Sequence, residues 1–336
     1  MNFFVTPKKR ALIISNNDSH DSYLKKIFFL KQQIGNTPLV HIDKVNGSSI
    51  YAKLEYYNPL SYSVKDRPAV YMIESAIKQG LVSSKKVVFI EASAGNFGIA
   101  YGRVGSFLGL KTLIVVPNVV SENTFKRLSK AGASVEKTPD GYCPRRNERD
   151  GALAKVKDMY LDDSNKIWLD QYSNKDNLRA HLEGTGPEIW KQTKGKVTNV
   201  VLGVGTGGSM AGITCYLKGE NPELKSVAVQ PQKNHHVQGL RNLEESFEPS
   251  IIRNNRDSID DWIEVSDKES FESTKYLWRK GYFVGTSSGL NYFAARRIAK
   301  KNKGSIVVTL FADTCLNSFK LVQQYISNGD FGKSNT

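Results

Sequence analysis

The sequence predicts an α/β protein of two domains, each a doubly wound and largely parallel sheet. Three observations carry that prediction. Short apolar runs alternate with helical stretches from about residue 86 onward. Glycine-bearing turns join several of those runs to the next helix: SAGNFG at 93–98, GVGTGGS at 203–209 and GTSSG at 285–289. The rhythm restarts after KIWLDQY at 166–172, with no sequence repeat between the two halves. Such alternation places helices on both faces of parallel sheets.

Residues 1–30 read as an arm preceding the domains. The apolar part of MNFFVTPKKRALIIS is too short for a secretory signal, and Asp18 and Asp21 argue against an organellar transit peptide. A disordered or docking arm is expected. IGNTPLVHI then supplies a turn and a short strand, and SSIYAKLEY a second strand. Lys65 stands at the start of a helix that carries Pro68 in its first turn, puts Val70, Ile73, Ala76 and Ile77 on one face, and stops at Gly80. A lysine at a helix start feels the positive end of the dipole, which favours the neutral amine required for Schiff-base chemistry. In a lysine-rich chain, a solvated surface lysine is the plain alternative.

The first full run of units follows. Strand 86–92 leads through SAGNFG to a helix, and strand 112–117 to a helix capped by Ser121 and stopped near Gly132. SVEK, a basic loop and the helix GALAKVKDMYL complete it. In the second run, EGTGPEIWKQT is a helix, TNVVLGV a strand entering GTGGS, and MAGITCYLKG a helix closed by Gly219. After strand SVAVQP comes a polar segment, 232–260, that is long for a plain connector and is expected to be functional. Ser266 and Glu269 form a capping box, and the chain ends in a helix, strand SIVVTLF and a terminal helix.

Composition narrows the function classes. Net charge is +14, from 47 basic and 33 acidic residues, which suits anionic partners. The basic residues are dispersed, and the densest group, CPRRNER at 143–149, lies in a polar loop read as solvated, so nucleic acid is not expected. No apolar run approaches the roughly 18 residues of a membrane span. Cys143, Cys215 and Cys315 are too few and too scattered for a disulfide framework or a zinc site, so no metal and a reducing cytoplasm are expected.

GVGTGGS turns successive backbone N–H groups toward an anion at a helix N-terminus. Gly203, Gly205 and Gly208 also satisfy a dinucleotide fingerprint, but the next strand ends in Gln230 and Pro231, where an acidic residue would have to hold a ribose. No Walker lysine follows the glycines. A single phosphate on a cofactor fits better. SAGNFG is a second anion-binding turn, in which Asn96 offers both a donor and an acceptor.

Taken together, IGNTPLV, SVKDRP, EASAGNFGIA, DQYSN, GTGPEIW, GTGGS and GTSSG resemble, in the same order, the cysteine synthase and cystathionine β-synthase family. The resemblance runs from about residue 30 to the C-terminus, and GLRNLEESFEP at 239–249 is most similar to the cysteine synthase B type, which includes users of O-phosphoserine. KLEYYNP and SVKDRPAVYMIE also resemble a branch that makes a diaminopropionate precursor with an amine nucleophile. The resemblance implies a tryptophan-synthase-β-like fold of type II with pyridoxal 5′-phosphate (PLP) in the cleft between the domains. It implies a large domain of residues 31–53 plus 173–336, a smaller mobile substrate domain of 54–172, and a homodimer.

Residue by residue, the resemblance makes Lys65 the Schiff-base lysine and sets Asn96 against the cofactor's ring oxygen. Gly205, Thr206, Gly207, Gly208 and Ser209 cradle the phosphate, and Ser287 faces the pyridine nitrogen. Ser93, Ala94, Gly95, Phe97 and Gln171 grip the substrate carboxylate. The implied reaction removes acetate or phosphate from an activated serine through an aminoacrylate, and a sulfur nucleophile then gives L-cysteine. Arg241, in the long polar segment, is the residue expected to read a donor phosphate. The chain departs from the family at Ala94 and Phe97, where hydroxyl residues are usual, at Leu60, Ser61 and Tyr62 before the lysine, and at ADTCLN, which retains Asp313. Those changes are expected to alter the substrate pocket.

Overall fold

The computed structural model describes residues 20–328 apart from 83, 85, 119 and 139–150. The readings of residues 1–19 and of the CPRRNER loop lie outside the described residues. From His20 onward the expected arm is instead a helix, α1 (His20–Gln33), because Tyr23, Ile27 and Leu30 share one face and are buried. They pack against Met72 and Ile73 of α2 (Asp66–Lys78) within one apolar cluster.

Ten strands follow among the described residues: β1 (Leu39–Val45), β2 (Ser48–Leu54), β3 (Val88–Ala92), β4 (Lys111–Pro117), β5 (Ser134–Thr138), β6 (Lys166–Trp168), β7 (Asn199–Gly203), β8 (Lys225–Pro231), β9 (Asp261–Val265) and β10 (Ile306–Phe311). They form two sheets. The larger has the order β1-β2-β10-β7-β8-β9 and the smaller β5-β4-β3-β6. Every pairing is parallel except that of β1 with β2, whose short turn at Asn46-Gly47 permits a hairpin. Residues with little or no exposure on successive positions, such as Val200, Val201 and Leu202, show that the central strands are covered on both faces.

The smaller sheet is covered by α2, α3 (Asn96–Leu108), α4 (Glu122–Lys130) and α5 (Ala152–Asp162). Ser121 caps α4 by accepting the Thr124 N–H at 3.2 Å, as its position predicts. The strand expected over 166–172 ends at Trp168, and Asp170 turns the chain with φ +48°. Beyond it α6 (Lys175–Ala180) runs through a single π-turn, His181–Thr185, into α7 (Gly186–Gln192), so the helix starts earlier than the sequence suggested.

Among the strands of the larger sheet in chain order lie α8 (Gly208–Glu220), α9 (Ser250–Arg253), α10 (Asp267–Arg279) and α11 (Thr286–Lys301), and α12 (Phe319–Asn328) follows β10. The Ser266–Glu269 capping box forms at the start of α10. The long polar segment has little regular structure and folds back over the glycine turn: the Arg241 N–H donates to Val204 O at 2.9 Å, and the Asn242 side chain donates to Pro231 O at 2.9 Å. No described helix is long and apolar enough to cross a membrane.

Candidate active site

Lys65 is the N-cap of α2, with helical φ and ψ of −75° and −13°. The loop before it is pinned by the next residue. The Asp66 carboxylate accepts the N–H of Leu60 at 2.5 Å, the N–H of Ser61 at 2.8 Å and the Ser61 hydroxyl. Arg103 donates to Leu60 O from α3, and Tyr62 adopts φ +54°. This is how the Leu60-Ser61-Tyr62 departure is accommodated. The helix itself is anchored by Arg67, which makes two-pronged ion pairs with Glu55 and Glu188. Lys53, fully buried on β2, meets the same Glu188 at 2.6 Å.

The Lys65 amine is partly buried, and burial pushes it down to about 8; the Asp313 carboxylate opposes the shift. Desolvation thus joins the helix-start position in favouring the neutral amine. Asp313 is itself pushed up to about 6 by burial, with Asn96, Asn317, Lys65 and Arg127 pulling the other way. Its Oδ1 has no hydrogen-bond partner among the described residues.

Asn96 opens α3, and both ends of its side chain reach across to the turn after β10. Nδ2 donates to Asp313 Oδ2 at 2.7 Å, and Oδ1 accepts from Asn317 Nδ2 at 2.5 Å. Beside it, the Ser93 hydroxyl accepts the Gly98 N–H at 3.0 Å, so this side chain closes its own turn. Ala94 and Gly95 sit on the same turn and are partly buried. The Phe97 ring does not join the cleft. It is buried in the core of the smaller sheet and stacks on Tyr101 with centroids 5.4 Å apart. An altered pocket is therefore not a consequence of that ring; the change from a hydroxyl residue is taken up by packing under α3. Gln171 supports the turn from below, donating to Ala92 O at 3.1 Å.

Gly205, Thr206, Gly207, Gly208 and Ser209 lead from β7 into α8. Gly207 has φ +89°, which favours glycine. The N–H groups of Thr206, Gly207 and Ser209 have no backbone partner among the described residues. A Cβ on Gly208 would lie 1.9 Å from Asn177 Oδ1, and one on Gly205 would lie 2.5 Å from Gly239 O, so the cradle admits no side chain there. Ser287, in the first turn of α11, is buried. Its neighbour Gly285 lies against Asp313, to whose O it donates at 3.2 Å. Val64 donates to Ala312 O at 2.8 Å and shares an apolar cluster with Val204 and Met210, which joins the Lys65 loop to the glycine turn.

Arg241 is buried. Its guanidinium donates to Ser246 Oγ at 2.6 Å and to the Tyr172 hydroxyl at 2.5 Å, and lies over the rings of Tyr172 and Phe247. Sequence reasoning did not single out Arg127, Asn317 or Tyr172. Arg127 and Asn317 lie 190 positions apart, Asn317 at the end of ADTCLN and Arg127 outside every motif, and the side chain of Arg127 donates to Asn317 Oδ1. No cluster of His, Cys, Asp and Glu suited to a metal occurs among the described residues.

A desolvated lysine, together with a glycine turn whose backbone N–H groups open a helix, is the chemistry that holds an aldehyde cofactor bearing one phosphate. The residues present fit PLP. The class agrees: a model of the pyridoxal-phosphate dependent enzyme family matches residues 30–313, and the chain belongs to that family. Within it, the chain is 38% identical over 318 residues to a cysteine synthase of Aquifex aeolicus, covering 91% of this chain and 94% of that one. It is 34% identical over 313 residues to cysteine synthase B of Salmonella typhimurium, covering 90% and 96%. Among solved structures, an O-acetylserine dependent cystathionine β-synthase from Helicobacter pylori superposes with a TM-score of 0.77 at 32% identity, covering 87% of this chain and 96% of that one.

Proposed function

We propose that this protein replaces the β-substituent of an activated serine with sulfur, giving L-cysteine. The observation that carries the reading is Lys65, whose amine is pushed down to about 8 by burial and lies under the influence of the Asp313 carboxylate that Asn96 holds at 2.7 Å. The cysteine synthases among its relatives support the reaction class. PLP, when bound, supplies the electron sink that acidifies Cα and lets a β-leaving group depart.

The chain's own residues then divide the work. Lys65 would hold the cofactor through its Nζ, and as a free amine that Nζ would be the base that takes the Cα proton. Thr206, Gly207, Gly208 and Ser209 direct N–H groups and the α8 terminus at the phosphate, with Gly205 permitting the close approach. Ser287 accepts or donates one hydrogen bond at the pyridine nitrogen, which a hydroxyl cannot keep fully protonated. Asn96 meets the ring oxygen. Ser93, Ala94, Gly95 and Phe97 offer backbone groups to the substrate carboxylate, and Gln171 holds that turn in place. Arg241 favours a phosphorylated donor.

A division into a large domain (31–53 with 173–336) and a smaller one (54–172) is supported by the two sheets, each drawing its strands from one of these spans. We place the enzyme in the cytoplasm as a homodimer, acting on small amino acids. A second reading keeps the mechanism and changes the nucleophile, to an amine or to the thiol of a longer amino acid. The cystathionine β-synthase similarity favours the thiol form.

The test is the visible absorption of the purified protein, titrated separately with O-phosphoserine and O-acetylserine. The expected result is a band that shifts with donor and returns when sulfide is added, with L-cysteine formed. Return of the band with glutamate or homocysteine, and not with sulfide, would transfer the assignment to the second reading. No shift with either donor would discard both.

A further inference from the structure

The Arg127 side chain donates to Asn317 Oδ1. Asn317 Nδ2 in turn donates to Asn96 Oδ1 at 2.5 Å, and Asn96 Nδ2 to Asp313 Oδ2 at 2.7 Å. The chain of bonds crosses from α4 of the smaller sheet to the turn after β10 and back to α3. Its direction is fixed from one end. A guanidinium has only donors, so Asn317 must turn its carbonyl to Arg127 and its amino group to Asn96. Asn96 must then accept at Oδ1, which leaves its amino group aimed at Asp313, on the side of the cleft where Lys65 lies. Without that constraint an asparagine amide can rotate by half a turn and present oxygen instead, at almost no steric cost.

We propose that Arg127 and Asn317 are positioning residues that set the amide of Asn96 so that it presents an N–H donor, and not a carbonyl, to the acceptor held beside Lys65. The inference rests on the reading that Asn96 meets the ring oxygen of PLP. A ring oxygen carrying negative charge is matched by a donor and repelled by a carbonyl, so the orientation decides both affinity and the colour of the bound cofactor. Neither positioning residue needs to touch the cofactor. Arg127 is half-buried, and Arg103 and Asp313 are the other charged groups that face it. Asp313 alone would not fix the direction, since at about 6 its carboxyl changes between donor and acceptor within the working range of pH. The guanidinium does not change.

The test is a double-mutant cycle on the PLP-loaded protein, reading the position of the visible band and the PLP dissociation constant. The variants are Asn96→Ala, Asn317→Leu, Arg127→Met and Asn96→Ala combined with Asn317→Leu. Asn317→Leu and Arg127→Met are each expected to weaken PLP by about fivefold to tenfold, the scale of one hydrogen bond, and to move the band in the same direction as Asn96→Ala. In the Asn96→Ala background, Asn317→Leu is expected to add nothing to either readout. A merely structural role would lower the melting temperature without moving the band, and Arg127→Met serves should Asn317→Leu fail to fold.

A shifted band for Asn96→Ala with wild-type values for both Asn317→Leu and Arg127→Met overturns the positioning role alone. So does full additivity in the double variant. If Asn96→Ala itself leaves band and affinity unchanged, the cofactor-facing reading of Asn96 fails, and the inference fails with it.

Discussion

Lys53 Nζ lies 2.6 Å from Glu188 Oε2, and the lysine side chain has no exposure at all. Glu188 also holds Arg67, which Glu55 shares, so two carboxylates face two buried cations, and the Glu188 carboxyl is held down at about 2. Burial is the largest influence on Glu188 and acts in the opposite direction; the Arg67 and Lys53 pairs outweigh it. Glu188→Ala leaves Lys53 without its ion-pair partner and Arg67 with Glu55 alone, and is expected to destabilise the fold by about 3–5 kcal/mol, the cost of breaking a buried pair from one side. Urea denaturation checks this, and a loss below 1 kcal/mol would show that water or a rearrangement replaces the carboxylate. Because Arg67 is two residues from Lys65, the same variant is expected to weaken retention of PLP.

The Lys65 amine sets a pH dependence. Only the neutral amine attacks the cofactor's aldehyde, and with the group lowered to about 8 the neutral fraction is roughly a tenth at pH 7 and nine-tenths at pH 9. The rate of PLP uptake by the apoprotein is therefore expected to rise about tenfold across that range and then level. Stopped-flow absorbance measures it. A rate still climbing steeply above pH 10 would mean that Lys65 keeps its ordinary value of 10.5.

Gly208→Ala inserts a methyl 1.9 Å from Asn177 Oδ1. Asn177 cannot withdraw, since it is buried and its Nδ2 is bound to Gln171 O at 2.7 Å and to Thr206 Oγ1 at 2.9 Å. The cradle must shift, and PLP affinity is expected to fall more than about tenfold. Gly219→Ala is the control in the same helix. A Cβ there meets nothing within 4 Å, so PLP affinity should stay at wild type while stability stays equal or rises by up to about 1 kcal/mol. Equal PLP affinity in both variants would remove the cradle from the site.

Arg241→Ala and Arg241→Lys address donor choice. Both lose the two-ring stack and the bonds to Tyr172 and Ser246, so both are expected to be less stable, and the informative quantity is a ratio. The ratio of kcat/KM for O-phosphoserine over O-acetylserine is expected to drop about tenfold or more, the scale of one charge-assisted bond. An unchanged ratio would leave Arg241 as a packing residue of the long polar segment.

Much of this was legible in the sequence because the relevant signals are local. Alternating runs gave the strand and helix rhythm, and Ser121 and the Ser266–Glu269 pair announced their helices by side-chain bonds three residues long. The glycine turns stood out because a helix follows each directly. Helix α1 was missed although Tyr23, Ile27 and Leu30 had helical spacing. Phe28, two-thirds exposed, blurs the face, and the burial that makes the helix comes from α2, more than 30 residues on. The early end of β6 depends on a left-handed Asp170, which an apolar pattern does not encode. The inward turn of Phe97 and the Arg127–Asn317 bond depend on which elements become neighbours, so no reading of one segment could reach them.

The larger sheet is closed by its last strand. β10 lies between β2 and β7, pairing Ile306 with Ser49 on one side and Val307 with Asn199 on the other. The smaller sheet, by contrast, is complete once residue 168 has been made. A ribosome therefore releases a chain whose first hairpin waits through some 250 residues of synthesis for the neighbour that covers its edge. During that wait the inner edge of β2 is an unpaired template for other chains, and the apolar faces of β2 and β7 have no common partner. Early termination before Ile306 would thus yield an aggregating fragment and not a smaller enzyme, even though Lys65, the 93–97 turn and the 203–209 glycine turn would all have been translated.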